Sequence, residues 1–285
     1  MATIDIQGVR HAYDLSAPAG SNSVLVFLHG WLLSRRYWQP LLDRLSGEYQ
    51  CLAYDLRGFG DSQPTSDYQP HSHYRYSPAS YAMDLEILLD RLNLSNVWLI
   101  GHSLGGTIAL WGADRLRDRV KGVVCVNAGG GIYLKEEFER FRSAGEQLVK
   151  LRPRWLSYVP LLDLLFTRAS VARPIERCWG RQRVIDFAIA HRDAALGTLL
   201  DSTTEREVHQ LPQVVSRLKQ PVYFIAGAND TIMNPEYVRH LASFHYLFRS
   251  EEGNTIEIDE CGHMSMVEQP DAICDRLREI LGKHE

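Results

Sequence analysis

Residues 101–106 of this 285-residue chain read Gly-His-Ser-Leu-Gly-Gly, a G-x-S-x-G pattern centred on Ser103. The apolar run Val97–Gly101 before the pattern predicts a buried strand, and Thr107–Leu116 after it predicts a helix. A serine between a strand and a helix lies on a tight turn that exposes its hydroxyl, and the glycines of the pattern leave the space that such a turn needs. The pattern therefore favours a nucleophilic serine over a surface serine on a glycine-rich turn.

Similar apolar runs recur on both sides of this pattern. We predict further strands at Val24–Leu28, Tyr49–Leu56, Val120–Val126, Val222–Ala226 and Thr255–Ile258. Apolar residues at helical spacing predict helices over Trp38–Leu45, from Pro78, over Pro235–Phe244 and from Pro270. Strands that alternate with helices predict an α/β fold, with a mostly parallel central sheet and helices on both faces.

The alternation stops after Val120–Val126. From about Tyr133 to Leu211 the sequence has no convincing strand pattern and predicts several helices. We therefore predict a core made of residues 1–131 and 212–285, and an inserted helical lid over residues 132–211. Such an insertion would lie at the C-terminal edge of the sheet, where α/β folds bind ligands.

A serine hydroxyl is a poor nucleophile at neutral pH, so it needs a base, and the base needs an orienting carboxylate. His263 is the best placed of the eleven histidines because it follows the last predicted strand. Asp230 follows the strand Val222–Ala226, at the same predicted edge of the sheet. Asn127 ends the preceding strand, a rival position for the acid, and cannot carry the charge. The sequence therefore predicts a triad of Ser103, His263 and Asp230.

From about Val24 to Leu281 the chain resembles the α/β-hydrolase superfamily of serine hydrolases with a helical cap. The motifs that carry the resemblance are His29-Gly30-Trp31, the loop 55–62, the pattern at 101–106, Asp230 and Gly262-His263, in the chain order Ser, Asp, His. The resemblance implies that Ser103 is the nucleophile, that His263 is base and then acid, and that Asp230 orients His263. A serine in this place argues against dehalogenases and epoxide hydrolases, which use aspartate.

The resemblance also implies an oxyanion hole formed by the backbone N–H groups of Trp31 and Leu104. It implies four structural residues at the site: His29, Gly30, Gly101 and Gly105. The loop 55–62 resembles a structural turn of the family, and Asp61 is disfavoured as a second acid.

The predicted lid gives hints about the substrate. Its stretch Lys150–Arg183 has eight basic and two acidic residues, a local balance of +6 in a chain of net charge −4. Within it lies the apolar run Trp155–Phe166, for which packing on the core is favoured over contact with a membrane surface. An apolar lid predicts a lipophilic acyl or prenyl ester, while the arginines leave an anionic substrate open.

Three functions remain open on the sequence. The favoured one is a carboxylesterase-like serine hydrolase that works through an acyl-enzyme on Ser103. The second is a carbon–carbon bond hydrolase, or a lyase of the kind found in the menaquinone pathway, on the same triad. The third is a small-molecule receptor of this fold, because fold does not fix function.

Composition excludes several other classes. With 31 basic and 35 acidic residues, no global charge indicates a nucleic-acid partner. Five cysteines without a C-x-x-C pair and an N-terminus unlike a signal peptide predict a cytoplasmic protein. No G-x-G-x-x-G loop occurs, and His71 and His73 lack a third ligand nearby, so we expect neither a cofactor nor a metal.

Overall fold

The computed structural model describes residues 1–65, 76–129 and 135–284. In these ranges the chain forms one eight-stranded sheet in the order β1-β2-β4-β3-β5-β6-β7-β8. The strands are β1 (Ala2–Ile6), β2 (Val9–Leu15), β3 (Val24–Leu28), β4 (Gln50–Tyr54), β5 (Val97–His102), β6 (Val120–Val126), β7 (Val222–Gly227) and β8 (Thr255–Ile258). The pairs β1–β2 and β2–β4 are antiparallel and all other neighbours are parallel. The predicted mostly parallel α/β sheet is confirmed.

Helices cover both faces of this sheet. The helices are α1 (Gln39–Leu45), α2 (Pro78–Arg91), α3 (Leu104–Arg115), α4 (Lys135–Lys150), α5 (Leu162–Phe166), α6 (Arg177–Ile189), α7 (Arg192–Ser202), α8 (Glu205–Arg217), α9 (Pro235–Ala242), α10 (Ser265–Glu268) and α11 (Pro270–Gly282). Short 3-10 helices lie at Arg35–Trp38, Arg154–Tyr158 and Tyr246–Arg249. Among the described helices, none is long and apolar enough to cross a membrane.

The central strand β3 shows why its sequence is apolar without a break. Successive side chains of a strand point to opposite faces of the sheet. Val26 and Leu28 join the core shared with α2, α3 and α8, whereas Leu25 and Phe27 join the core shared with α1 and α11. Because both faces are buried, every position of the strand is apolar.

The antiparallel hairpin of β1 and β2 was absent from the sequence-based prediction. Its strands mix apolar with charged residues, and β1 is mostly exposed, so the apolar signal is weak. The hairpin turns at Gln7 and Gly8, which both have positive φ (55° and 81°). Two residues of positive φ suit a tight two-residue turn between antiparallel strands.

Two predicted boundaries were also wrong. The strand expected over Tyr49–Leu56 ends at Tyr54, because Asp55 begins the next turn. The helix expected from Thr107 begins at Leu104, directly after Ser103. The chain between β6 and β7, named the helical insertion below, contains α4 to α8 and no strand in its described part. Residue 211, the predicted end of the lid, lies inside α8.

Candidate active site

Ser103 lies on a sharp turn between β5 and α3. Its backbone is in the left-handed region, with φ 52° and ψ −119°, which a residue other than glycine adopts only when its surroundings enforce it. A Cβ atom on Gly101 would lie 2.2 Å from the Gly105 carbonyl oxygen, and one on Gly105 would lie 2.2 Å from that of Leu28. Only glycine fits at either position, so the strand and the helix meet as the G-x-S-x-G pattern requires.

The two predicted oxyanion donors lie at the ends of neighbouring elements. Leu104 is the first residue of α3, so its N–H has no partner within the helix and lies at the positive end of the helix dipole. Trp31 follows β3 in the loop 29–34, and no described residue accepts a hydrogen bond from its N–H. The Trp31 indole N–H donates to the Ala195 carbonyl (2.9 Å), which fixes this loop against α7.

His29 holds that loop in place. Its Nε2 accepts from the Leu56 N–H (2.9 Å), so the ring proton lies on Nδ1, which donates to the Gly30 carbonyl (2.8 Å). Burial lowers the pKa of His29 to about 4. With both nitrogens engaged, this neutral ring has no position left for proton transfer.

His263 and Asp230 are paired at the C-terminal edge of the sheet. His263 Nδ1 donates to Asp230 Oδ2 (2.8 Å), and both side chains are buried. Asp230 Oδ1 accepts the N–H groups of Ile232 (2.8 Å) and Met233 (2.9 Å). Burial opposes ionisation of Asp230, but the hydrogen bond from His263 and the backbone donors outweigh it and lower the pKa of this carboxyl. The pairing leaves Nε2 of His263 as a proton acceptor.

Asn127 cannot carry the charge of the acid, but it is a hydrogen-bond partner of the acid. Its Nδ2 donates to Asp230 Oδ2 (2.8 Å) and to the Gly262 carbonyl (3.1 Å). The hydroxyl of Ser265 donates to Asn127 Oδ1 (2.5 Å), so the amide orientation follows from its hydrogen bonds. Its place at the end of β6 was the available signal for its part in the site.

His102, the residue before Ser103 in the G-x-S-x-G pattern, also contacts His263. Its Nε2 donates to the His263 carbonyl (2.7 Å), and the two ring centroids are 4.8 Å apart. Burial lowers the pKa of His102 to about 3. A Cβ on Gly30 would lie 2.7 Å from His102 Nδ1, so Gly30 gives this ring its space.

Glu268 fastens the loop of His263 to the helical insertion. Its Oε2 accepts the Gly262 N–H (3.0 Å) and the Ala172 N–H (2.8 Å), and its Oε1 accepts the Met264 N–H (2.9 Å). The His263 N–H donates to the Ser170 carbonyl (2.9 Å). The insertion therefore contacts the loop of His263 directly, and sequence spacing gives no sign of this contact.

The basic residues of Lys150–Arg183 are largely engaged within the protein. Lys150, Arg173 and Arg177 pair with Glu146, Glu260 and Asp163. Arg152, Arg181 and Arg183 donate to backbone carbonyls of the insertion. These contacts occupy the basic side chains. They therefore argue against a cluster of arginines that is free to bind an anionic substrate.

Within the described ranges, no group of three His, Cys, Asp or Glu residues has the arrangement that a metal ion needs. His71 and His73 lie outside the described residues.

The family model for the alpha/beta hydrolase fold matches residues 23–270. The chain belongs to the α/β-hydrolase fold family. The esterase from Thermogutta terrifontis in a malate-bound structure superimposes with a TM-score of 0.76 at 22% identity over all of both chains, a likeness of fold.

Similarity to other members is remote. The putative 2-succinyl-6-hydroxy-2,4-cyclohexadiene-1-carboxylate synthase of Bacillus subtilis is 27% identical over 275 residues, covering 91% of this chain and 94% of the relative. The chloroplastic protein PHYLLO of Arabidopsis thaliana is 28% identical over 137 residues. That match covers 45% of this chain, which spans only 8% of PHYLLO. The Bacillus relative is named a synthase and the Thermogutta structure is that of an esterase, so similar proteins differ in their named activities.

Proposed function

We propose that this protein is a serine hydrolase that cleaves a carboxylic ester. The observation that carries the proposal is the Asp230–His263 hydrogen bond (2.8 Å), which leaves Nε2 of His263 as a base at the sheet edge where the strained Ser103 turn lies. A base with its other nitrogen on a carboxylate, near a serine on a sharp turn, is the arrangement that activates a serine hydroxyl.

In the proposed reaction, Ser103 Oγ attacks the ester carbonyl carbon while its proton moves to His263 Nε2. The carbonyl oxygen becomes an oxyanion held by the N–H groups of Leu104 and Trp31. Collapse of this intermediate breaks the bond to the alcohol, which leaves with the proton from His263, and an acyl-enzyme remains. Water, deprotonated by His263, then attacks the acyl carbon; the bond to Ser103 Oγ breaks, His263 returns the proton to that oxygen, and the acid is released. These reaction steps use neither a metal nor a cofactor.

The proposed substrate is lipophilic, with an acyl or prenyl chain. Support comes from the surroundings of Trp31, which packs against the apolar core cluster that contains Phe187, Ala194 and Ala195 of the insertion. An apolar surround of this kind binds hydrocarbon through the hydrophobic effect. We also propose a cytoplasmic location, because all five cysteines are free and four of them are buried.

Intact-mass labelling with a fluorophosphonate, followed by a p-nitrophenyl ester chain-length series, tests the proposal. We expect one label on the wild type, none on Ser103→Ala, and an optimum at medium or long acyl chains. Wild-type-like turnover in Ser103→Ala would contradict the role of Ser103. A folded wild type that takes no label and binds ligands without turnover would favour the receptor alternative.

A carbon–carbon bond hydrolase, or a lyase of the kind found in the menaquinone pathway, stays the second candidate, because the Bacillus synthase aligns over 91% of this chain. The engaged arginines argue against it, since such sites need free guanidinium groups for substrate carboxylates. Elimination of pyruvate from a dicarboxylate substrate, with no hydrolysis of simple esters, would favour this candidate.

A further inference from the structure

Half of the large apolar side chains exposed on the described surface belong to one short stretch of the helical insertion. Seven of fourteen lie between residues 148 and 165. This group, named the apolar tip, consists of Leu148, Leu151, Trp155, Tyr158, Leu161, Leu164 and Leu165. Trp155 is 62% and Tyr158 83% exposed, so packing on the core, which the sequence favoured for the whole apolar run, is seen for Phe166 and not for these two residues. Soluble proteins scatter exposed apolar residues, and a concentrated set marks a contact surface.

The outward orientation of the apolar tip has a structural cause. The buried carboxylate of Asp163 accepts from Arg177 Nε (2.7 Å) on α6, and the Asp163 carbonyl accepts the Thr167 N–H. The polar side of α5 is thereby held against α6, and Leu164 and Leu165 remain exposed. Likewise, Arg181 donates to the Ser157 carbonyl (2.6 Å) and fixes the 3-10 turn between the two exposed aromatic residues.

Basic residues flank the apolar tip along the chain, and they are not fully neutralised. The balance of +6 over residues 150–183 falls to +4 when the partners Glu146 and Glu260 are counted. Arg152 and Arg183 are bound to carbonyl groups, which carry no net charge, so their positive charge remains. The whole chain has a net charge of −4, so the residues outside this basic stretch carry a net negative charge.

We propose that the apolar tip is a docking surface for a bilayer that contains anionic lipids. Tryptophan and tyrosine prefer the boundary between headgroups and acyl chains, leucine enters the acyl region, and basic residues are attracted to anionic headgroups. A second copy of the chain fits less well. In a two-fold dimer the same patch meets itself, so the two basic stretches would repel each other.

Co-sedimentation with vesicles tests this proposal without any substrate, so its failure is distinct from failure of the proposed esterase activity. The probes are vesicles of phosphatidylcholine alone and of phosphatidylcholine with phosphatidylglycerol. We expect the wild type to sediment with the anionic vesicles, and the double variant Trp155→Ala/Tyr158→Ala to bind about tenfold more weakly. Tyr246→Ala, which removes an aromatic residue of 56% exposure far along the chain, is the matched control and should bind like the wild type.

Charge is tested in the same assay by raising the salt concentration, which should weaken binding to anionic vesicles. Three results would overturn the proposal. The first is no sedimentation with either vesicle, and the second is an equal loss of vesicle binding in Tyr246→Ala and in the double variant. The third is a wild type that binds no vesicles but forms a dimer in analytical ultracentrifugation, while the double variant is a monomer. The last result would assign the surface to a second copy of the chain.

Discussion

The amide of Asn127 donates to the same carboxylate oxygen of Asp230 that accepts the proton of His263 Nδ1, at 2.8 Å in both cases. Asn127 directly follows β6 and Asp230 lies three residues after the neighbouring strand β7, so the parallel pairing of these strands brings the two side chains together. The carboxylate is thus held from both sides, and its orientation toward His263 does not depend on His263 alone.

Replacing Asn127 by alanine should therefore slow the reaction. A hydrogen bond to a charged group contributes about 1.5–3 kcal/mol, so we expect kcat to fall about ten- to a hundredfold with KM little changed. Ester turnover measured beside thermal unfolding checks this. Asn254→Ala removes another buried amide, which donates to the Val222 carbonyl, and should lower stability while kcat stays. Equal kcat losses in both variants would reduce Asn127 to a packing role.

Glu268→Gln should disturb the loop of His263. Three backbone N–H groups point at this carboxylate, and an amide would turn its own N–H₂ group toward one of them. We expect fluorophosphonate labelling of Ser103 to slow about tenfold, the loss typical of a misoriented supporting residue. Glu257→Gln, in an exposed pair with Arg239, is the control and should label at the wild-type rate. If Glu268→Gln also labels at that rate, the contact is structural only.

Gly105→Ala should prevent the sharp turn at Ser103 from forming. The new Cβ would lie 2.2 Å from the Leu28 carbonyl oxygen, a backbone atom that cannot move without displacing β3. We expect insoluble protein, or a loss of several kcal/mol of unfolding free energy in denaturant titration. Gly47→Ala is the control, because nothing lies within 4 Å of its added Cβ. A soluble Gly105→Ala protein of wild-type stability would show that this close approach is wrong.

Asp186 predicts a pH dependence of stability. This buried carboxylate of α6 accepts from Ser34 Oγ (2.7 Å) and Gln182 Nε2 (2.8 Å), with Tyr37 and the like-charged Asp55 close by. Burial raises its pKa to about 7, mainly because no cation compensates its desolvation. The folded state therefore binds a proton that the unfolded state releases near pH 4, so this contribution to stability is lost as pH rises from about 4 through 7.

Asp186→Asn removes that titration. We expect the variant to lack the decrease in stability, which amounts to about 4 kcal/mol across the window if the whole displacement of the pKa acts on folding. Urea unfolding of both proteins over this pH range measures the difference. Parallel curves for wild type and Asp186→Asn would mean that Asp186 keeps an ordinary pKa.

Much of the architecture followed from periodicity in the sequence. Strands buried on both faces, such as β3 and β5, are continuous apolar runs, and their boundaries agree with the prediction to within a residue. The hairpin of β1 and β2 escaped because its strands are half exposed and carry polar residues. The true ends of β4 and α3 depend on the turns at Asp55 and Ser103, which apolar patterning does not encode.

Patterns along the chain were enough to predict the fold and the triad, because a parallel sheet brings the ends of its strands to one edge wherever those strands lie in the chain. The order Ser103, Asp230, His263 is local information repeated three times, because each residue lies one to five residues after an apolar strand. Three-dimensional packing was needed to show which neutral groups surround the acid and the base, and which way the apolar run 155–166 faces. Asn127, His102 and Glu268 act through contacts between residues far apart in the chain. Such contacts arise from packing in three dimensions, and spacing along a chain does not record them.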